Sequence, residues 1–273
     1  NTNVAAIKAR SNLDKVQRDM DQSIARLSSG KRITRAHDDA AGAAIAGRME
    51  SQIRGLNMSI RNTKDGQSFV DTAEGALQEI TSILQRMREL AVQSAGGTMT
   101  NADKDYLDLE MTALIAEITA IDANTTFNER TVFTSTQMNF YHDIDVDGTA
   151  VAAPALEMSA SSTPGFSLGV VDISSSRAVA AISNVISAID AAITYVDGKR
   201  ASLGAVSNRF DHIIDNLTNI VANTEASQSR VEDADFAIET TQLTRNTVLQ
   251  QAATSMVAQA NASKNTILAL IQG

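Results

Sequence analysis

Residues 70–91 read VDTAEGALQEITSILQRMRELA, and along them Val70, Ala73, Leu77, Ile80, Leu84, Met87 and Ala91 recur at intervals of three, four, three, four, three and four. This spacing keeps apolar side chains on one face of an α-helix and is the seam pattern of a coiled coil. The same rhythm extends outward in both directions. Leu107, Met111, Leu114, Ile118 and Ile121 form a second run, and Val179, Ile182, Ile186, Ile189, Ile193 and Val196 a third. A fourth begins at Leu203, Val206, Phe210, Ile213, Leu217 and Ile220. It passes through Thr224 and Ser227 to Val231, Ala234 and Ile238, lapses near Arg245, and resumes at Leu249, Ala252 and Met256. A single helix over 203–270 would run for about 100 Å at ~1.5 Å per residue. The fold class expected is therefore mainly α, an elongated helical bundle with coiled-coil packing.

The N-terminal stretch follows the same logic. Leu13, Val16, Met20, Ile24 and Leu27 mark one helix, which Ser28-Ser29-Gly30 ends, with Gly30 suited to a left-handed cap. Asp38 or Asp39 is placed to cap a following helix whose stripe is Ile45, Met49, Ile53, Leu56 and Ile60. Gly96-Gly97 followed by Thr100-Asn101-Ala102-Asp103 reads as a helix end and a new start. Residues 131–176 differ: they hold both prolines and many Ser and Thr, and no Lys or Arg. Within them 139–146 alternates like a strand and Asp147-Gly148 is a hairpin turn signal, so a small β-hairpin insertion is expected.

Composition narrows the function. Cysteine is absent, which excludes disulfides, thiolate catalysis and cysteine-ligated metals. A net charge of −9 argues against nucleic acid as a partner, since duplex binding needs a basic face. No apolar run is long enough to span a membrane, and 1–7 lacks the basic start and apolar stretch of a signal peptide. Aromatic residues make up only 4%, so packing must rest on Ala, Ile, Leu and Met. From 247 to 273 the sole charged side chain is Lys264, and 1–7 is uncharged, a composition that leaves an apolar stripe available to a partner.

Several stretches also match a family. Arg26-Leu27-Ser28-Ser29-Gly30-Lys31-Arg32-Ile33, Asp38-Asp39-Ala40-Ala41-Gly42 and the 85–93 stretch QRMRELAVQ resemble the N-terminal signature of bacterial flagellin. So do Asn208-Arg209, Ser229-Arg230-Val231-Glu232-Asp233-Ala234-Asp235 and Gln250-Gln251-Ala252 at the other end. Glu129 departs from the pattern, where the family usually has Gly, as does His37 before the paired aspartates. The large variable outer domains common in the family are missing.

The resemblance implies N- and C-terminal segments paired antiparallel into a rod. Residues 1–40 with 235–273 would form a terminal coiled-coil assembly segment, disordered in the monomer and ordered on polymerisation. Residues 41–130 with 177–234 would form the helical rod core, and 131–176 the insertion. The implied function is that of a structural subunit which self-polymerises into the extracellular flagellar filament, exported without a cleaved signal peptide. Implied partners are other copies of the chain, other flagellins, an export chaperone, junction and cap proteins, and an innate immune receptor. Alternatives are a hook–filament junction protein, or a cell-surface protein that binds a polysaccharide through Phe140, Tyr141 and Phe166.

The assembly residues expected on these grounds are Leu13, Val16, Met20, Ile24, Leu27, Leu249, Ala252, Met256, Ile267 and Leu270. Arg86, Leu90 and Glu110 lie where the immune receptor contacts some family members. No catalytic or cofactor site is expected. Asp143, Asp145, Asp147 and Gly148 copy the first half of a calcium loop, but the position of its closing Glu holds Pro154, so an acidic hairpin tip is expected instead. His37, His142 and His212 are too scattered for metal ligation.

Overall fold

The computed structural model of the chain describes residues 3–133, 138–141, 150–153 and 179–272. In order these form α1 (Val4–Ser29), α2 (Ala40–Ser94), α3 (Asn101–Asn124), β1 (Thr126–Phe127), β2 (Arg130–Thr131), β3 (Met138–Tyr141), β4 (Ala150–Ala153), α4 (Val179–Glu232) and α5 (Phe236–Gln272). The chain divides into two compact units, Arg54–Val221 and the combination of Asn1–Ile53 with Ala222–Gly273. These units part at 53/54 and 221/222, within α2 and α4.

In the unit Arg54–Val221 the seam read from the sequence is the core. Val70, Ala73, Leu77, Ile80, Leu84, Met87 and Ala91 of α2 are fully buried, together with Met111 and Ile118 of α3 and Ile189, Ala192, Val196 and Leu203 of α4. At ~25 cal/mol per Å² of apolar surface, each such Leu, Ile or Met contributes about 1.5–3 kcal/mol. On α4 the centre of the stripe is Ile182, Val185, Ile189, Ala192 and Val196, with Ile186 and Ile193 flanking it rather than on it. Polar pairs at the margins fix the alignment: Gln67 donates to Asp211, and Arg200 and Arg88 pair with Glu74 and Asp190. As the α2 number rises the α4 number falls, so these two helices are antiparallel. Arg86 bridges α2 to Glu110 of α3.

The break between α2 and α3 follows the expected signals. Thr100 caps α3 and forms a reciprocal capping box with Asp103. After α3 comes a two-residue hairpin with no glycine to signal it. Thr126 pairs with Thr131 and Phe127 with Arg130, and Asn128 and Glu129 both take positive φ, at 50° and 64°. Two central residues at positive φ define the turn type whose twist suits a hairpin. Phe127 packs edge-on against the buried Phe69 at 6.0 Å, which moors the turn to the core. The expected β insertion is present as β3 paired antiparallel with β4, Met138 facing Ala153 and Tyr141 facing Ala150. Its tip, with His142, Asp143, Asp145, Asp147 and Gly148, lies outside the described residues, as do Pro154, Pro164 and Phe166.

Glu129 stands where the family pattern has glycine, in a conformation that costs an L-residue about 1–2 kcal/mol. Glu129→Gly removes that cost and adds roughly 0.4–1 kcal/mol of unfolded-chain entropy. The net expectation is a gain near ~0.5–1 kcal/mol, read as a rise of about 1–4 °C in melting temperature. An unchanged or lower melting temperature would mean the turn is not strained as described.

Candidate assembly interface

In the second unit α1 and α5 pack against each other. Three side-chain links set their direction: the Asn3 amide donates to the Ala260 carbonyl, Gln250 donates to Gln17, and Arg26 donates to Glu239 at 2.9 Å. The pair is therefore antiparallel. Buried and half-buried positions on α1 are Ala6, Ala9, Leu13, Val16, Met20, Ser23 and Leu27, spaced by three and four throughout. On α5 they include Glu239, Leu243, Asn246, Gln250, Ala253, Val257 and Ala260, again at three and four. These are two heptad seams facing each other. They differ from the α2 seam in chemistry, because Ser23, Glu239, Asn246 and Gln250 put polar groups into the contact and alanines thin it.

This geometry corrects two sequence expectations. The seam of α1 runs through Ser23, and Ile24 stands outward at 47% exposure. The helix expected over 203–270 is two helices, broken at Asp233-Ala234-Asp235. Asp235 caps α5 by accepting from the amides of Ala237 and Ile238. The interruption resets the helical phase. Consequently the paired face of α5 is the 243/246/250/253 stripe, and Leu249, Ala252 and Met256 face outward. Ile267 and Leu270 belong to the backbone of α5, but their side chains lie outside the described residues.

Breaks in the two arms are tied to one another. Gly30 ends α1 with φ 72° and its amide on the Arg26 carbonyl. Lys31 then forms a β-bridge with Asp233, Arg32 donates its amide to the Glu232 carbonyl, and Ala234 donates to the Gly30 carbonyl. Lys31 Nζ reaches Glu232 at 2.6 Å and Arg32 Nη2 donates to the Val231 carbonyl. The two candidate caps divide their work. Asp39 caps α2 by accepting from Gly42, whose missing Cβ leaves room for the Asp39 carboxylate and Ile33. Asp38 instead organises the preceding loop, accepting from the Thr34 hydroxyl and from the amides of Thr34 and Arg35. These hydrogen bonds, the Thr34 hydroxyl foremost, lower the Asp38 pKa to about 2.

Most of the large apolar side chains left in solvent lie in this unit, with Met58, Val92, Tyr106 and Leu109 exposed in the other. Among the described residues those in this unit include Val4, Ile7, Ile24 and Ile45, and on α5 Phe236, Ile238, Val248, Leu249 and Met256, the last 63% exposed. Val16, Leu249, Ala252, Ala253 and Met256 floor a groove of roughly 730 Å³ along one side of the α1/α5 pair, and Lys15, Asp19, Arg26 and Arg245 are among its lining residues. Of the expected assembly residues, Leu249, Ala252 and Met256 are thus open to a neighbour. Leu13, Val16, Met20 and Leu27 are half-buried in the α1/α5 contact, with Val16 also reaching the groove.

The receptor-contact residues separate. Leu90 is fully buried in the α2 seam and presents no side chain to a partner, a burial that follows from its place beside Met87 and Ala91. Arg86 and Glu110 are at the surface, paired with each other at 2.9 Å, and Arg86 also pairs with Glu89. His37 is exposed beside Asp38 and His212 is exposed on α4. Among the described residues no cluster of His, Asp or Glu is placed to hold a metal ion, and no helix is long and apolar enough to cross a membrane.

The chain is thus mainly helical, and its paired α1 and α5 leave apolar side chains exposed on the outer face of α5. The family description "Bacterial flagellin N-terminal helical region" matches residues 1–138, and "Bacterial flagellin C-terminal helical region" matches 186–271. The chain belongs to the bacterial flagellin family. It is 39% identical to a flagellin of Halalkalibacterium halodurans and 36% identical to the flagellar filament core protein flaB2 of Brachyspira hyodysenteriae, in each case over all of this chain and 99% of the relative. Flagellin A of Vibrio cholerae serotype O1 is 35% identical with the same coverage, across 375 aligned positions against 273 residues here. The crystal structure of Bacillus cereus flagellin matches with a TM-score of 0.50 at 30% identity, covering 60% of this chain and 94% of that one. A flagellar hook-associated protein from Vibrio parahaemolyticus shares the fold alone, with a TM-score of 0.63 at 14% identity over 72% of this chain and 100% of that one.

Because the folded Asp38 pKa lies below its ordinary value near 3.8, its stabilisation of the 30–39 loop is complete above about pH 4 and is lost as pH falls through about 2. Hydrogen-exchange protection of the Thr34 and Arg35 amides should fall across that window. In Asp38→Asn it should be low at neutral pH and show no step. A step that persists in the variant would assign the acid response to another group.

Proposed function

We propose that the chain is a structural subunit that polymerises with copies of itself into the filament of a bacterial flagellum, outside the cell, where its role is mechanical. The observation that carries this reading is the contrast between the two units. One buries its apolar seam completely within a single chain, whereas the other holds Leu249, Ala252 and Met256 in water on the outer face of α5. A face of this kind is satisfied by repeated head-to-tail contacts that build a helical array. End-to-end relatives that are flagellins and a filament core protein favour the filament over a junction role. Export through the flagellar channel without a cleaved signal peptide, and contacts with an export chaperone, junction and cap proteins, are the further steps and partners that family membership implies.

The weak chemistry of the α1/α5 contact fits a pair that is completed by neighbours. Polar seam positions fix register at a cost in stability, so α1 and α5 gain most of their order once adjacent subunits cover the outward face. Limited proteolysis of the free monomer should therefore remove α1 and α5 and leave a fragment containing the α2, α3 and α4 core.

One substitution pair separates assembly from folding. Met256→Asp loses about 1.5–3 kcal/mol of side-chain burial per contact and adds the several kcal/mol of a buried carboxylate, in the filament only. It should leave the melting of the monomer core unchanged and abolish filaments in negative-stain images after salt-induced polymerisation. Ile80→Asp, at a fully buried seam position, should unfold the monomer itself. Normal filaments from Met256→Asp, or destabilisation equal to that of Ile80→Asp, would contradict the assignment.

A further inference from the structure

We propose that Met256 is an oxidation site through which peroxide controls polymerisation, an inference that rests on the outer face of α5 being the assembly face. The methionines fall into distinct environments. Met87 and Met111 are completely buried in the core of the unit Arg54–Val221, out of reach of a dissolved oxidant. Met58 and Met256 are more than half exposed. Of these two, Met256 lies in the floor of the α1/α5 groove, beside Leu249, Ala252 and Val16. Met58 lies on α2 in the other unit.

The chemistry is a two-electron oxygen transfer. A Met256 sulfur lone pair attacks one oxygen of hydrogen peroxide, and the O–O bond breaks. The sulfur keeps that oxygen as a sulfoxide, and the other oxygen leaves as water once the proton has transferred. The product is a polar acceptor on a side chain that had been apolar and flexible. In the free chain the sulfoxide points into water and costs nothing. On the assembly face a neighbour strips water from the sulfoxide, whose apolar groove companions Val16, Leu249 and Ala252 donate no hydrogen bond, although Lys15, Arg245 and Asn246 also line the groove. Oxidised monomers are therefore refused at the growing end, while Met256 already covered by a neighbour is shielded. The response distinguishes subunits awaiting incorporation from those in the filament, and reduction of the sulfoxide reverses it.

The test treats purified full-length monomer with dilute hydrogen peroxide, maps sulfoxide by peptide mass spectrometry, and measures the critical concentration for salt-induced polymerisation. Met256 should be oxidised and Met87 and Met111 spared. The critical concentration should rise at least about tenfold and return after treatment with methionine sulfoxide reductase. Met256→Leu, which cannot be oxidised at this position, should keep its own critical concentration, whatever that value, unchanged by peroxide. Unimpaired polymerisation of protein oxidised at Met256, or equal impairment of oxidised Met256→Leu, would overturn the inference. Met256→Asp keeps the two ideas apart. If it blocks filaments while the sulfoxide does not, the oxidation proposal fails and the assembly face stands. If Met256→Asp polymerises, the assembly face itself fails.

Discussion

Apolar side chains spaced three and four apart along a helix must be covered, and what covers them decides both the fold and the function of this chain. Along α2 the cover comes from the same chain. Leu77, Ile80, Leu84 and Met87 meet α3 and α4 in a core that includes Ile118, Ile189 and Val196, and nothing of that seam remains in water. The α1/α5 pair follows the same heptad geometry with weaker material. Alanines thin the contact, Ser23, Asn246 and Gln250 dilute it, and the Arg26–Glu239 ion pair occupies the end nearest the joint. A coiled coil built this way specifies its register well and its stability poorly. Its remaining apolar residues look outward, as the proposed role of a subunit awaiting its neighbours requires.

The division also explains what was legible in the sequence. The α2 seam could be read directly because every seam position is apolar, so periodicity and burial coincide. In α5 they do not coincide. The positions that face α1 include Glu239, Asn246 and Gln250, while the more apolar Leu249 and Met256 face away, so following hydrophobicity traced the outward face. The phase shift arises at Asp233-Ala234-Asp235, where Asp235 offers a capping signal that a continuing apolar rhythm concealed. Ile24 misled in the same way, being more apolar than Ser23 but one position off the seam.

Family motifs carried the remaining distance and had their own limit. They located the joint segments 26–33 and 229–235 that the structure zips together through Lys31 and Asp233. They also placed Leu90 at a receptor contact, although a residue locked between Met87 and Ala91 is buried by the very periodicity that defines the helix. The Asn128-Glu129 turn escaped both routes. Glu129 lacks the glycine that announces positive φ, and the pairing of Phe127 with Arg130 is too short to show alternation.

The central claim is that the outer face of α5 is open in the single chain and covered in the polymer. Because the chain contains no cysteine, Leu249→Cys introduces a unique thiol on that face. The direct measurement is its rate of reaction with a water-soluble maleimide in free monomer and in preformed filaments. The account predicts rapid labelling of the monomer and labelling at least about tenfold slower in the filament. Equal rates in the two states would contradict it.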